Sequence, residues 1–218
     1  MNRSRQIPMQ FIVCFAVIGS LFFCGTVIPA EPLMQKTNLF EVGTAGYATY
    51  RIQGIVATSK GILIAYCEAR KGLQGDWGTI DIVMRRSIDN GETWLPPRKI
   101  VNIEGPIPKN SVALKQNLAK EDEITINNPV AIADGRMNAV HFLYCVEYAH
   151  CYYMRSDDDG ATFSEPVDIT GTFEKFRDEY DWKVLATGPG HGIQLKDGRL
   201  LVPVWLSTGT GRHAHRPS

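Results

Sequence analysis

Polar and apolar positions alternate over short distances beyond residue 40. Runs of β-branched and aromatic residues are separated by Gly, Asp and Asn, and no stretch keeps the 3.6-residue period of a long helix. Three segments, 61–66, 135–144 and 198–205, each begin with a glycine and continue as an apolar run. The pattern predicts an all-β chain of short strands in a repeating arrangement.

A second repeat is more specific. Residues 87–94 and 156–163 both read S-x-D-x-G-x-T-aromatic, and their first residues are 69 positions apart. The Ser and Asp side chains can accept backbone amide hydrogens, the Gly permits a positive φ, and the aromatic residue can fill the gap between strands. An aspartate tied into its own turn is a structural group, so we interpret these residues as folding devices: Ser87, Asp89, Gly91, Trp94, Ser156, Asp158, Gly160 and Phe163.

Charged residues occur in three further motifs. These are Tyr50-Arg51-Ile52-Gln53, Glu68-Ala69-Arg70, and the segment 75–86, which begins Gly75-Asp76 and leads into the first of the two S-x-D-x-G-x-T-aromatic repeats, called boxes below. Taken singly, arginines at strand ends usually form salt bridges or lie on the surface. Taken with the two boxes, the motifs resemble the exo-α-sialidase (neuraminidase) family, six-bladed β-propellers with Asp-box, or BNR, repeats.

The resemblance implies a role for three residues. Arg51 matches the arginine of the family's F/Y-R-I-P motif, which clamps the carboxylate of sialic acid, although Gln53 stands where the family has proline. Its planar guanidinium can hold a carboxylate by two parallel hydrogen bonds. Arg70 matches a second substrate-binding arginine, and Asp76 matches the catalytic acid and base, a role that partial burial would favour by raising its pKa. Asp81 is interpreted as structural.

The resemblance also implies the fold. We expect an incomplete propeller of about two and a half of six four-stranded blades, with blade one at 50–101, blade two at 127–170 and half of blade three after Thr187. The insertion 102–126 should form a long loop, and 171–183 a short helix or another surface loop. His191, in a glycine-rich segment, could approach the pocket.

The first thirty residues differ from the rest. Arg3 and Arg5 precede an apolar run over 11–27, and a small residue, Ala30, follows. This layout predicts a secretory signal peptide at 1–30 and an exported domain at 31–218, in the periplasm, outside the cell or at its surface. The alternative is an uncleaved anchor, which would make the membrane a partner.

The charge balance and the histidines indicate which partners and ligands to expect. Lys plus Arg and Asp plus Glu both number 23, which gives no reason to expect nucleic acid or an anionic membrane as a partner. We expect no cofactor and no metal, since His213 and His215 lack further ligands nearby in the sequence.

Cys145 and Cys151 flank a predicted hairpin turn near Tyr148 and are either a cross-strand disulfide or, with Cys67, ordinary buried thiols.

The function implied by the resemblance is retaining hydrolysis of terminal sialic acids from glycans, glycoproteins or glycolipids. Its tyrosine nucleophile, the activating glutamate and two more arginines belong to later blades, so we expect the chain to be a truncated, poorly soluble and inactive part. Two alternatives stay open: a non-catalytic Asp-box propeller that binds carbohydrate, and a glycoside hydrolase of another specificity.

Overall fold

The computed structural model describes residues 34–73, 75–103 and 106–211. The predicted signal peptide, 1–30, and the pair His213 and His215 lie outside these residues. The chain divides into two compact units, Met1–Lys36 and Thr37–Ser218, and all elements below belong to the second. Over the described part of the chain, no helix has the length and apolar character to cross a membrane.

The first sheet contains four antiparallel strands in sequence order. They are β1 (Thr49–Ala57), β2 (Leu63–Arg70), β3 (Ile80–Ser87) and β4 (Arg98–Lys99). The strand β2 is buried along almost its whole length because apolar clusters cover both of its faces. This up-and-down order is that of one propeller blade, and its limits confirm the prediction for 50–101.

The second sheet repeats the first. Its strands, again antiparallel and in sequence order, are β5 (Ile126–Asp134), β6 (Ala139–Val146), β7 (His150–Ser156) and β8 (Val167–Asp168). These limits confirm the prediction for 127–170. The hairpin between β6 and β7 turns near Tyr148, as predicted, and Cys67, Cys145 and Cys151 are free thiols.

The third group of strands corrects two expectations. Its first strand, β9 (Val184–Thr187), lies before the predicted start and pairs with β12 (Val204–Ser207), while β10 (Ile193–Gln194) and β11 (Leu200–Leu201) form a separate hairpin. The apolar run at 198–205, which we expected to form one strand like the runs at 61–66 and 135–144, is therefore divided between two strands. Pro203 interrupts it, because a proline has no N–H to donate to a sheet ladder.

Two short helices lie in the connections. The helix α1 (Ser111–Lys115) begins where Asn110 Oδ1 accepts a hydrogen bond from the amide of Val112, 2.9 Å away. The insertion 102–126 is therefore partly helical, and its description as a long loop was incomplete. The helix α2 (Gly171–Glu174) settles the open choice at 171–183 in favour of a short helix.

The core lies between the first two sheets. Apolar side chains of β2 and β3 pack against those of β5, β6 and β7, and the rings of Tyr66 and Phe142 meet edge to face with centroids 5.5 Å apart. Fully burying side chains of this size contributes roughly 1.5–3 kcal/mol each. The packing fixes the two sheets against each other, and so brings the ends of β1 and β5 together.

The two Asp-boxes have nearly identical hydrogen bonds. The amide of Gly91 donates to Ser87 Oγ (2.8 Å) and that of Thr93 to Asp89 Oδ1 (2.9 Å). In the second box the amide of Gly160 donates to Ser156 Oγ and that of Thr162 to Asp158 Oδ1, both at 2.8 Å. Gly91 and Gly160 have φ values of 94° and 75°. The aspartates are thus turn residues, as the sequence predicts.

The surroundings of these aspartates keep them ionised. Hydrogen bonds from Thr93 and Ser87 lower the pKa of Asp89 to about 2. Partial burial works against the same effect at Asp158, but hydrogen bonds from Thr162 and Ser156 outweigh it and lower that pKa to about 2 as well. The aromatic residues differ: Phe163 contacts Phe142, with ring centroids 5.6 Å apart, whereas Trp94 is half-buried.

Candidate functional site

Residues in or directly after the strands β1, β5 and β9 line one cavity of about 330 Å³. Its lining comes from all three groups of strands and from three connections between strands. Three of the lining residues, Arg51, Arg70 and Asp76, are those that the sequence predicted. The full lining is Arg51, Ile52, Arg70, Asp76, Asn128, Tyr148, Pro189 and Trp205.

A repeated backbone feature shapes the cavity floor. The pairing register of β1 shifts between Arg51 and Gly54, and that of β5 between Asn127 and Val130. The residue after the start of each bulge is left-handed: Ile52 has a φ of 54° and Asn128 one of 53°. Such a φ is strained for a β-branched residue, and it persists only where the surroundings impose it.

The third strand ends with the same conformation. Gly188, immediately after β9, has a φ of 68° and is followed by Pro189. Thus Gln53 of the first strand occupies the place that Pro129 and Pro189 hold in the other two. Gln53 Nε2 donates to the carbonyl of Tyr50 at 3.0 Å, so a side-chain hydrogen bond supports the bulge where the others have a proline ring.

Asp76 connects the two arginines. Its Oδ1 atom accepts hydrogen bonds from Arg51 Nη1 at 3.0 Å and from Arg70 Nη1 at 2.8 Å. The three residues come from β1, from the end of β2 and from the loop before β3. These parts of the chain meet at the same end of the strands of the first sheet. The side chain of Arg51 is 50% exposed and that of Arg70 only 3%. Arg51 is therefore the arginine that can turn toward a ligand.

Arg70 is held by a buried carboxylate. Its Nε and Nη2 atoms donate to Oε2 of Glu68 at 2.8 and 2.5 Å, and Nη1 also donates to the carbonyl of Gly75. At least four of its five N–H donors are thus engaged. Within the protein, Arg70 fixes Asp76 and supplies positive charge to the cavity.

Glu68 is itself fully buried. Burial raises the pKa of its carboxyl group, although Arg70 and the amide of Asn128, 2.7 Å from Oε1, favour the ionised form. The pKa of Arg70 is raised because the attraction of Glu68 and Asp76 outweighs its burial. The guanidinium therefore stays charged, and Glu68 links the first two sheets beneath the cavity.

An aromatic wall faces this charged group. Tyr148 packs between Trp77 and Trp205, with ring centroids 4.5 and 6.4 Å away. It stands at the tip of the β6–β7 hairpin in the three-residue connection 147–149, where both Glu147 (φ 54°) and Tyr148 (φ 49°) are left-handed. Asn and Gly normally occupy such turns, so the turn is strained.

The surrounding chain holds the strained turn in place. Glu147 Oε1 accepts hydrogen bonds from Lys109 Nζ and from the amide of Thr125, both at 2.7 Å, and the carbonyl of Tyr148 accepts one from Leu185 at 2.7 Å. The insertion therefore buttresses the wall of the cavity. We did not predict Tyr148 as a cavity residue; the sequence signal would have been a hairpin turn without Gly or Asn.

Two other predicted positions lie outside the cavity. His191 lines a separate cavity with Phe40 and Gln53, so it does not contribute to this site. Asp81 accepts a hydrogen bond from Tyr47 Oη at 2.8 Å and pairs with Lys99 at 2.6 Å. These contacts join the N-terminal segment and β4 to the first sheet, which is a structural role.

Comparison with known proteins identifies the family. The BNR repeat-like domain matches residues 54–215, most of the chain. The chain belongs to the BNR repeat-like family. The exo-α-sialidase of Aspergillus fumigatus is 29% identical over 94% of this chain and 54% of its own length, and sialidase-2 of Rattus norvegicus is 31% identical over 80% and 46%. The predicted family resemblance is confirmed.

A solved structure confirms the fold of this BNR repeat-like chain. The Hadza microbial sialidase Hz136 superposes with a TM-score of 0.59 and 27% identity, over 74% of this chain and 33% of that one. The fold is thus a β-propeller of the sialidase type, present in part. The chain spans about half the length of the curated relatives that it matches.

The geometry defines what this cavity can do chemically. The half-exposed guanidinium of Arg51 can bind an anionic group, and the carboxyl group of Asp76 beside it can exchange a proton with a ligand. The aromatic wall opposite offers apolar contact to the body of a ligand, as ring faces do for sugars and acyl groups. The cavity therefore suits a small ligand that carries both a carboxylate and apolar surface.

Proposed function

We propose that this chain carries the carboxylate-binding and proton-transfer part of an exo-α-sialidase site. The observation that supports it is the meeting of Arg51, Arg70 and Asp76 in one cavity, around a single oxygen of Asp76. Sialic acid at the end of a glycan, glycoprotein or glycolipid has a carboxylate next to its glycosidic bond. A carboxylate clamp next to an acid fits that arrangement.

Binding would rearrange the charged group. The ligand carboxylate replaces Asp76 as the partner of Arg51, which receives it by two parallel hydrogen bonds. Arg70 stays in place because Glu68 holds it from below. Asp76, released from Arg51, then lies against the bond to be broken.

Asp76 would act in two steps. As the bond between the sugar and the leaving oxygen breaks, the Asp76 carboxyl group donates its proton to that oxygen. In the second step the carboxylate takes a proton from the water that completes hydrolysis. Retention also needs a nucleophile, and we propose that further blades supply it. We propose, too, that the protein is exported through its N-terminal segment.

The substitution Asp76→Asn tests the proposed role of the acid. An amide has nearly the same shape and cannot supply the proton, so in the protein assayed together with the further blades, release of a sugar leaving group from an α-sialoside should fall by roughly 10²–10⁴-fold. Binding of free sialic acid should persist. The matched control is Asp81→Asn, at a carboxylate outside the cavity.

The result also separates the two candidate functions. If Asp76→Asn releases the leaving group as fast as the parent protein, Asp76 is not the acid. If the parent protein, assayed together with the further blades, binds sialic acid and never releases the leaving group, the chain is a carbohydrate-binding propeller.

A further inference from the structure

Cys145 and Cys151 face each other directly across the β6–β7 hairpin. The amide of Cys151 donates to Thr170 Oγ1 and its carbonyl accepts from the amide of Ile169, both at 2.9 Å. Both backbone groups of Cys151 therefore point away from β6, which makes the two cysteines a non-hydrogen-bonded pair. In such pairs the Cα atoms are about 4.5 Å apart, within the range that a disulfide spans.

The two thiols share one buried cluster but differ in their hydrogen bonds. Both are fully buried in one cluster with Trp182 and Leu185. Burial alone raises the pKa of Cys145, but hydrogen bonds from Cys151 and Thr187 outweigh it and leave that pKa below its usual value. The hydrogen bond to Cys145 and burial raise the pKa of Cys151. Cys145 is thus the thiol that ionises more readily, and a thiolate is the attacking species in disulfide exchange.

Cys67 is not an alternative partner. It lies in a different cluster with Tyr50, Ala69 and Val83, on the first sheet. The third free thiol of the described residues is therefore an internal control for any oxidation of the other two.

We propose that Cys145 and Cys151 are an oxidation site that forms a disulfide across the hairpin and braces the turn carrying Tyr148. The co-reactant is a small disulfide such as oxidised glutathione. The thiolate of one of the two cysteines attacks it and releases one glutathione thiolate; the sulfur of the other cysteine then displaces the second. The two protons of the cysteine thiols pass to the two glutathione molecules, so one disulfide is exchanged for another.

The bridge would act on a part of the chain that is under strain. Glu147 and Tyr148 are both left-handed, and this turn begins two residues after Cys145 and ends three residues before Cys151. A bond between the strands at Cys145 and Cys151 restricts the unfolded hairpin to conformations close to the turn. Since Trp182 and Leu185 cover both sulfurs, the exchange takes place while the hairpin is exposed, before those side chains pack over it.

Peptide mapping tests the proposal directly. The protein is refolded with oxidised and reduced glutathione, alkylated, and digested with chymotrypsin, which cleaves after Tyr148 and so between the two cysteines. We expect their peptides to be joined and 2 Da lighter than the sum of the reduced pair, with Cys67 alkylated. The proposal is overturned if Cys145 and Cys151 are both alkylated, carry glutathione, or are joined to Cys67.

Thermal unfolding tests the bracing role. Oxidation should raise the Tm of the parent protein by about 4–8 °C, reversibly with reductant, since the closed loop is short. Cys67→Ser should keep the shift and Cys151→Ser should lose it. An oxidised parent protein with the Tm of the reduced form would refute the bracing role, and the mapping needs no variant, so a poorly folding Cys151→Ser does not affect it.

Discussion

Lys109→Met would leave the carboxylate of Glu147 buried without the ammonium group that lies 2.7 Å from it. The side chains of the two residues are 2% and 0% exposed, so water cannot replace the lost partner. The amide of Thr125 still donates to Glu147 Oε1, but a neutral donor offsets only part of the loss. The substitution therefore isolates the contact by which the insertion supports the turn of Tyr148.

The expected cost follows from the burial of the pair. Removing one partner of a buried ion pair typically costs about 3–5 kcal/mol, because the remaining charge stays desolvated. The free energy of unfolding should therefore fall by about 3 kcal/mol or more, measured by urea unfolding monitored by tryptophan fluorescence. Lys115→Met, at an exposed lysine of α1, is the matched control and should change it by less than about 0.5 kcal/mol.

A double substitution sharpens the test. In Lys109→Met with Glu147→Gln, no buried charge remains and the amide oxygen can still accept the hydrogen bond from Thr125. Most of the lost stability should return, since the pair itself contributes little beyond compensating its own desolvation. A loss below about 1 kcal/mol for Lys109→Met alone would show that the pair is not buried as described.

Two predictions concern the Asp-boxes. Gly160→Ala places a Cβ atom 2.7 Å from Ile64 Cδ1 at a φ of +75°, so we expect a loss of about 1–3 kcal/mol in the free energy of unfolding, whereas Gly135→Ala, with open space around it, should be nearly neutral. The box carboxylates have pKa values lowered to about 2. Their stabilisation is complete above the ordinary pKa near 4 and is lost as the pH falls toward 2. Acid unfolding followed by circular dichroism should thus become less steep between pH 4 and 2 in Asp158→Asn, and an unchanged profile would contradict the account.

The parts of the fold that were predictable from sequence are those made by local contacts. Each Asp-box closes through hydrogen bonds between residues at most four positions apart, so Ser87 and Asp89 reveal their role by spacing alone. The strand limits of both complete sheets follow from alternation and turn residues for the same reason. The break at Pro203 was missed because the apolar run continues on both sides of it.

The candidate site was predictable only where a motif marked it. Arg51, Arg70 and Asp76 were identified because the resemblance assigned them roles. Tyr148 and Trp205 reach the cavity through packing between sheets; the signal at Tyr148 is a hairpin turn without Gly or Asn, and Trp205 carries no local signal. The role of the buried Glu68 side chain was not predictable either, since its contact with the amide of Asn128 joins residues 60 positions apart.

The bulges show an intermediate case. Ile52 and Asn128 adopt the same left-handed conformation at matching places in β1 and β5. An Asn before a proline suggests an unusual backbone, whereas an Ile before a Gln does not. The repeat becomes visible only when the two strands are aligned through their registers.

The proposed role of Arg51 is to bind the carboxylate of a sialic acid in this cavity. The most direct measurement compares, by titration calorimetry, the affinity of the protein for sialic acid and for its methyl ester, with Arg51→Lys and the remote control Arg199→Lys. We expect the ester to bind roughly 10–150-fold more weakly to the parent protein, because a charge-assisted hydrogen-bonded pair is lost, and Arg51→Lys to remove most of this difference. Equal affinities for acid and ester in the parent protein would contradict it.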